Sequence, residues 1–222
     1  MKVLTFGEIM LRLKAPGHER LMQSPLLEAT FGGGEANVAV SLANYGMDAA
    51  FLTVLPENAL GDACMGELRR FNVDTSRILR GPGRMGIYYL EAGANQLPSK
   101  VIYDRAGSAF ALSSPADYDW ANIFKGARWF HVTGITPALG QNVAEITIAA
   151  FKAAKEAGLT VSTDLNYRKK LWTREEAGKV MSEVCKYVDY CIANEEDAKD
   201  VFGISAENTD IDSGKLDREG YI

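Results

Sequence analysis

The 222-residue chain has few of the residues on which several protein classes depend. Its three cysteines, Cys64, Cys185 and Cys191, form no C-x-x-C pair. This excludes a disulfide framework and favours a small core residue at each of the three positions. The two histidines, His18 and His131, are too few for a zinc site built on several imidazoles. His131 lies inside an apolar run and is predicted to be a hydrogen-bonded core histidine.

Positive charge and long apolar runs are also scarce. The sequence has 24 Lys and Arg against 29 Asp and Glu, a formal net charge of −5, which argues against non-specific nucleic-acid binding. The longest uncharged stretch, 129–144, is interrupted by Pro137 and two glycines and is too short to span a bilayer. Glu8 interrupts what would be the apolar part of a signal peptide. We therefore expect a soluble, cytoplasmic protein with no nucleic-acid or membrane partner.

The sequence does contain a regular alternation of strand-like and helix-like segments. Hydrophobic residues make up 47% and charged residues 24%, which is typical of a globular protein, and one α/β domain over 1–222 is predicted. Such alternation implies a mostly parallel sheet covered by helices on both faces. The predicted strands are 2–6, 50–55, 128–133, 159–164 and 188–193. The predicted helices are 36–45, 62–71, 142–157 and 173–186, the last with a capping box from Thr173 to Glu176.

Two regions interrupt the alternation. Residues 86–91 and 100–105 are rich in Tyr, Ile and Val and are joined by a turn-like segment, which predicts a β-hairpin. Residues 10–31 are similarly short of helix signals and are broken by Pro and Gly. We predict that these regions, about 10–31 and 84–106, form a small antiparallel β lid over the main sheet.

The hairpin carries a candidate ligand-binding face. Strand periodicity places Val101, Tyr103 and Arg105 on one face, and Tyr89 shares it if the strand register allows. Two phenols and a guanidinium suit a polar ligand with a carboxylate, because Arg binds a carboxylate through two parallel N–H bonds. The alternative is a pair of ordinary sheet tyrosines beside a solvated arginine.

A run of three glycines, Gly32, Gly33 and Gly34, precedes the first helix. Consecutive glycines let backbone N–H groups approach a ligand at the positive end of a helix, and Asn37 in the first turn is placed to bond a hydroxyl. The alternative is a tight strand-to-helix turn without a ligand. The spacing is not G-x-G-x-x-G, so a dinucleotide fold is poorly supported.

Further candidates follow the predicted strands, because ligands of open parallel sheets bind beyond the carboxyl ends of the strands. This rule selects Gly7 with Glu8, Gly134, Asn166 with Arg168, and Asn194. The segment 164–170 combines Asp and Asn with three cations, which suits an anion, and Arg168 is suited to cover a transferring phosphoryl group. The alternative is a basic loop that is salt-bridged to Glu175 or Glu176.

Asn194 begins the last of these candidate sites. Asn is a favoured N-cap, and the acids at 195–197 would complement the helix dipole without any ligand. The functional alternative places Asn194 and Asp197 near a magnesium–phosphate site, with contact through water.

Together these stretches resemble the ribokinase-like (PfkB) family of carbohydrate kinases, and within it the branch that acts on 2-keto-3-deoxygluconate. The resemblance covers nearly the whole chain. It rests on FGEIMLRL at 6–13, GGGEANVA at 32–39, GRMGIYYLE at 83–91, PSKVIYDR at 98–105, HVTGITPA at 131–138 and DLNYRKKLW at 164–172.

The resemblance implies a ribokinase-like fold and a transfer from ATP, with Mg²⁺, to the 6-hydroxyl of 2-keto-3-deoxygluconate. The family's lid often pairs with the lid of a second subunit, which implies a homo-oligomer. Asp197 stands where the family usually has Glu, which implies a weaker, indirect contact with the metal. The resemblance implies substrate contacts at Gly34, Tyr89, Tyr103 and Arg105, contacts between sugar and nucleotide phosphates at Asn166 and Arg168, and a magnesium–phosphate motif that begins at Asn194. With Gly33 and Asn37 of the glycine motif, the predicted substrate residues are Gly33, Gly34, Asn37, Tyr89, Tyr103, Arg105 and Arg168, and the predicted nucleotide residues are Asn166, Arg168 and Asn194.

One departure from the family is severe. The Gly-Ala-Gly-Asp motif, which supplies the family's catalytic base, appears nowhere in the sequence, and the nearest string, at 60–62, lies far too early. We therefore expect the base beyond Ile222 and a chain that corresponds to roughly the front two-thirds of such a kinase, without the C-terminal third of the fold. An exposed sheet edge with apolar surface would follow.

Two alternatives to this kinase assignment remain open. In the first, the chain is a non-catalytic fragment that binds sugar acid or only dimerises. In the second, it is a PfkB-type kinase for another substrate, such as fructose or 5-keto-2-deoxygluconate. Arg105 argues against a neutral sugar but not against another acid.

Overall fold

A computed structural model describes residues 2–205 of the chain. The strands are β1 Lys2–Phe6, β2 Met10–Lys14, β3 Glu28–Gly32, β4 Asp48–Leu52, β5 Val54–Pro56, β6 Leu79–Gly81, β7 Ile87–Glu91, β8 Lys100–Asp104, β9 Ala127–Thr133, β10 Thr160–Asp164 and β11 Tyr190–Ile192. The α-helices are α1 Gly34–Asn44, α2 Ala59–Arg70, α3 Trp120–Ile123, α4 Gln141–Glu156, α5 Arg174–Val184 and α6 Glu195–Phe202. None of these helices is long and apolar enough to cross a membrane.

The central sheet contains five parallel strands in the order β11-β10-β9-β1-β4. Successive residues of β1 point to opposite faces, so that Leu4 and Phe6 join the main core with α4 and α5, while Phe51 of β4 packs with α1 and α2. Helices on both faces confirm the α/β class that the alternating segments predict. The carboxyl ends of the strands lie along one edge, which is where the candidate residues collect.

A second sheet forms the lid, in the order β3-β2-β7-β8. Its outer pairs, β2–β3 and β7–β8, are antiparallel, as the hairpin pattern predicts. The central pair, β2–β7, is parallel, because β7 enters the lid from a separate excursion of the chain rather than from a turn after β2.

The prediction of a single strand at 50–55 is wrong, because the structure has two strands there, β4 and β5. β4 pairs with β1 in the central sheet, whereas β5 pairs with β6, and the Leu79 N–H donates to the Thr53 carbonyl oxygen at 2.9 Å. The capping box of the fourth predicted helix is confirmed: the Thr173 hydroxyl accepts from the Glu176 N–H at 3.2 Å, and the Glu176 carboxylate accepts from the Thr173 N–H at 2.8 Å.

The cysteine prediction holds for only one residue. Cys64 is buried, and burial raises the pKa of its thiol to about 12. Cys185 is half-buried and Cys191 is exposed, so a core position is wrong for Cys191. The reason is that β11 is an edge strand among the described residues, where Tyr190 and Ile192 are also exposed.

Candidate active site

The triglycine bend sits where the lid meets the central sheet. A Cβ atom on Gly32 would lie 2.5 Å from the Tyr88 phenol oxygen, and one on Gly33 would lie 2.3 Å from the Glu8 carbonyl oxygen. Glycine is therefore required for close packing against β7 and against the turn after β1. Gly33 is the N-cap of α1, with extended backbone angles, and its carbonyl oxygen accepts from the Asn37 N–H at 2.9 Å.

Glu35, next in the same motif, is a buried carboxylate with several donors. Its Oε1 accepts from the Thr133 N–H at 3.0 Å, from the Thr133 hydroxyl at 2.9 Å and from the Thr136 hydroxyl at 2.6 Å. Burial raises the pKa of Glu35, although these hydrogen bonds to its ionised form oppose the shift. The carboxylate thereby ties the start of α1 to the carboxyl end of β9.

The register of the β7–β8 hairpin decides which tyrosine faces this bend. Tyr88 pairs with Tyr103, whereas Tyr89 pairs with Ile102, and directly opposed residues share a face. The expectation that Tyr89 shares the face of Tyr103 is therefore wrong. Tyr88 takes the place that was assigned to Tyr89, with its ring centroid 6.0 Å from that of Tyr103.

Arg105 is not a solvated arginine, because its side chain is 15% exposed and paired with a carboxylate that is 3% exposed. Its Nε donates to Oε2 of Glu8 at 2.8 Å, and its Nη2 donates to the same oxygen. The guanidinium carbon also lies 5.8 Å from the centroid of the Tyr103 ring, within the range of a cation–π contact.

These groups surround one cavity of about 260 Å³ between the lid and the central sheet. The structure brings most of the predicted substrate residues to it, with Tyr88 in place of Tyr89. Its wall contains Glu8, Met10, Gly32, Gly33, Gly34, Glu35, Asn37, Tyr88, Tyr103, Arg105, Ile135, Thr136, Asn166 and Arg168.

A second cavity, of about 450 Å³, shares Tyr103, Arg105 and Arg168 with the first. Lys169, Lys170, Asn194 and Asp197 also line it, so the two predicted strand-end sites meet there. The two cavities together place a polar pocket beside a strongly basic loop, an arrangement that suits an acceptor next to a phosphate donor.

The basic loop at 164–170 has an alternative interpretation, in which it forms salt bridges with Glu175 or Glu176. Arg168 is exposed, and within residues 2–205 it forms no salt bridge with Glu175 or Glu176. Glu176 instead accepts from Thr173 in the capping box. Asn166 adopts a left-handed backbone conformation with φ of 39°, which turns the chain at the end of β10.

Asn194 is confirmed as an N-cap, since its side-chain oxygen accepts from the Asp197 N–H at 2.7 Å. Asp197 is 9% exposed, and burial raises the pKa of its carboxyl group. Within the described part of the chain, no group of three or more His, Cys, Asp or Glu residues is arranged to hold a metal ion directly. His131 is buried, as predicted, with Nδ1 2.9 Å from the Ser162 hydroxyl.

Sequence reasoning assigned no site role to Tyr88, Glu35 and Thr136, and it selected Glu8 only as a candidate after the first strand. The missing information for Tyr88 was the hairpin register, which a sequence without a tight two-residue turn does not fix. The position of Glu8 directly after the first strand marks it as a candidate. The sequence does not indicate its partner, because Arg105 is 97 residues away. Glu35 stands in the glycine motif, but its donors come from the end of β9.

Comparison with known proteins identifies the family to which the chain is similar. Residues 1–215 match the pfkB family carbohydrate kinases. A crystal structure of 2-dehydro-3-deoxygluconokinase from Thermotoga maritima is 56% identical, with a TM-score of 0.93 over 100% of this chain and 66% of that chain. The 2-dehydro-3-deoxygalactonokinase of Haloferax volcanii is 37% identical over 206 residues, 93% of this chain and 64% of the relative.

A crystal structure of fructokinase with bound ATP from Xylella fastidiosa is more distant, at 25% identity and a TM-score of 0.72 over 86% of this chain and 60% of that chain. The present chain thus spans about two-thirds or less of the length of these relatives. The match over residues 1–215 and the similarity of the fold together show that the chain belongs to the pfkB family of carbohydrate kinases.

Proposed function

We propose that the described cavities form the acceptor and phosphate sites of a kinase that transfers the γ-phosphoryl group of ATP to the 6-hydroxyl of 2-keto-3-deoxygluconate. The observation that carries the proposal is the position of Arg105. A guanidinium that is 15% exposed lines the same cavity as the triglycine bend, Tyr88 and Tyr103. A planar fork of donors suits the carboxylate of a sugar acid, while the phenols and Asn37 suit its hydroxyls.

The names of the relatives support the acid rather than a neutral sugar. The Thermotoga and Haloferax proteins are named for 2-dehydro-3-deoxy sugar acids. The gluconate-derived acid is proposed over the galactonate-derived one because the 56% identity to the Thermotoga kinase exceeds the 37% identity to the Haloferax kinase.

The basic loop is the proposed phosphate side. Arg168 lines both cavities, so one guanidinium reaches the acceptor site and the neighbouring phosphate site. Lys169, Lys170 and the side-chain amide N–H groups of Asn194 add donors for phosphate oxygens. When bound, ATP supplies the transferred group and Mg²⁺ neutralises part of its charge. Asp197 fits such a metal through water, since within residues 2–205 no group of three or more His, Cys, Asp or Glu residues is arranged to hold a metal ion directly.

Arg105 and Arg168 have different proposed roles in the transfer, one in binding and the other in charge stabilisation. Arg105 binds the carboxylate of the acceptor, and Arg168 stabilises the negative charge on the phosphoryl group during its transfer. No carboxylate of residues 1–222 is assigned as the base for the 6-hydroxyl, because the sequence lacks Gly-Ala-Gly-Asp.

We also propose that the lid pairs with the lid of a second copy of the chain. The support is the outer face of the lid, opposite the cavity, where Leu13, Tyr89 and Ile102 share one side of the sheet and Ile102 is 57% exposed. Apolar side chains on an open sheet face are suited to burial against another copy.

The experiment for the kinase proposal combines two measurements on the protein. ADP formation is followed with ATP, Mg²⁺ and 2-keto-3-deoxygluconate, and calorimetry measures binding of the same acid and of fructose. In protein that includes the base expected beyond Ile222, ADP formation with the acid but not with fructose is the expected result. Binding of the acid without ADP formation would favour the alternative of a non-catalytic sugar-acid-binding chain, and the absence of both would overturn the two assignments together.

A further inference from the structure

Glu8 is a second buried charge in the cavity wall, and neither the glycine motif nor the proposed transfer uses it. Its side chain is 3% exposed. Both of its oxygens are occupied, since Oε2 accepts from Arg105 and Oε1 accepts from the Ser108 hydroxyl at 2.5 Å. Gly86 makes room for it, because a Cβ atom there would lie 2.8 Å from Glu8 Oε1.

The contact engages only one edge of the arginine. Guanidinium N–H groups point along a side edge, formed by Nε and Nη2, and a terminal edge, formed by Nη1 and Nη2. The side edge of Arg105 converges on Glu8 Oε2. Among the hydrogen bonds of residues 2–205, none uses Nη1, so the terminal edge keeps its donors for a ligand.

We propose that Glu8 is the positioning residue through which the site recognises an acid: it fixes the side edge of Arg105 so that the terminal edge is presented to the carboxylate of the substrate. This inference rests on the proposed function. Without Glu8, the arginine would lose its buried acceptor and regain freedom about four side-chain torsions, and ordering it again would weaken binding.

An opposite physical effect competes with this one. Glu8 also neutralises Arg105, so removal of the carboxylate increases the positive potential that an anionic ligand meets. The two effects predict opposite signs. If positioning dominates, Glu8→Ala weakens binding of the acid, and if neutralisation dominates, the same change strengthens it.

The experiment is a calorimetric double-mutant cycle on the full 222-residue chain, with 2-keto-3-deoxygluconate and its neutral methyl ester as matched ligands. We expect Glu8→Ala to weaken binding of the acid about tenfold or more, since the donor it releases is charged, and to leave binding of the ester within about twofold. In an Arg105→Ala background, the additional Glu8→Ala change should alter binding of the acid by less than about twofold.

Two further variants separate positioning from a general loss of structure. Glu8→Gln keeps an oxygen that can accept from Nε and Nη2, so it should retain acid binding within about threefold of the parent. Arg84→Ala is the matched control, because Arg84 pairs with Asp104 on the same lid at an exposed position away from the cavity, and it should leave both affinities unchanged. Thermal unfolding confirms that each variant is folded.

Every other outcome overturns the inference. Tighter acid binding by Glu8→Ala would show that neutralisation dominates. Equal losses for acid and ester, or losses that add to those of Arg105→Ala, would show a purely structural role. Failure of the parent chain to bind the acid would reject the proposed function itself, whereas binding by the parent that is unchanged in Glu8→Ala would reject only the role of Glu8.

Discussion

The central sheet and the lid are both built from β-strands, but their strands differ in how deeply the residues are buried. In β1 and β4, four of the five residues are buried, whereas β7 and β8 contain no buried residue. The central strands are covered by helices on both faces, and the lid strands have the cavity on one side and an open apolar face on the other. Stability therefore comes mainly from the sheet, whereas the role that we propose for the lid is selectivity.

The junction between the two regions is made by buried carboxylates rather than by apolar packing alone. Glu8 follows β1 and accepts from Arg105 of the lid, and Glu35, in the first turn of α1, accepts from residues at the end of β9. Glu8 is compensated by a cation, while Glu35 is compensated by hydroxyl and backbone donors. We therefore expect the stability of the folded chain to depend on pH through Glu35, because burial raises the pKa of its carboxyl group.

The largest expected effect tests the stability of the central sheet. Phe6 is fully buried, and its ring lies 5.4 Å from that of Phe110, 5.6 Å from Tyr118 and 6.0 Å from Trp120. Phe6→Ala should lower the free energy of unfolding by about 3–5 kcal/mol, because it removes apolar contacts and leaves a cavity. Urea unfolding measures the loss, and a change below about 1 kcal/mol would break the contrast between sheet and lid.

An intermediate effect is expected at the junction. Because burial raises the pKa of Glu35 in the folded chain, the unfolded chain loses this proton first as the pH rises. The stability that the protonated carboxyl contributes is present below the unfolded pKa of about 4.3 and is lost as the pH rises through the folded pKa. Glu35→Gln should therefore gain in unfolding temperature relative to the parent as the pH is raised from about 4 to 8.

Glu176→Gln is the control with the opposite sign. Hydrogen bonds from Thr173 lower the pKa of Glu176, so its contribution is present above the unfolded pKa and is lost as the pH falls. The unfolding temperature of the parent should therefore rise relative to that of Glu176→Gln as the pH rises. If the unfolding temperatures of the two variants changed with pH in the same direction relative to the parent, the raised pKa of Glu35 would be contradicted.

The smallest effect on folding is expected on the lid. Ile102 is 57% exposed, so Ile102→Lys should change the free energy of unfolding by no more than about 0.5 kcal/mol. The same change should shift the sedimentation profile toward the monomer if the lids pair. A stability loss as large as that of Phe6→Ala, or an unaltered association state, would count against the proposed lid contact.

Much of the central sheet was predictable from the sequence. The strands at 2–6, 128–133 and 159–164 and the helix at 142–157 agree with β1, β9, β10 and α4 to within one or two residues. Buried parallel strands read as apolar runs, and helices carry their own stop signals, so local sequence is sufficient there. The division of 50–55 was not predictable, because it depends on the pairing of β5 with a strand that is more than 20 residues away.

The candidate site was only partly predictable, for a related reason. The glycine bend, Asn166, Arg168 and Arg105 were found because each belongs to a recognisable stretch, and the structure places all of them on one cavity. Tyr89 was selected in place of Tyr88 because a shift of one residue in strand register reverses which side chains face the site.

The sequence by itself determined the α/β class, the positions of the principal strands and helices, and the residue types that suit a sugar acid and a phosphate donor. These depend on periodicity and on local backbone preferences. Only the tertiary structure decided that Tyr88 faces the cavity, that Glu8 holds one edge of Arg105 and that Glu35 is buried among threonines. Those contacts join residues 97 or more positions apart or depend on strand register, and local sequence specifies neither.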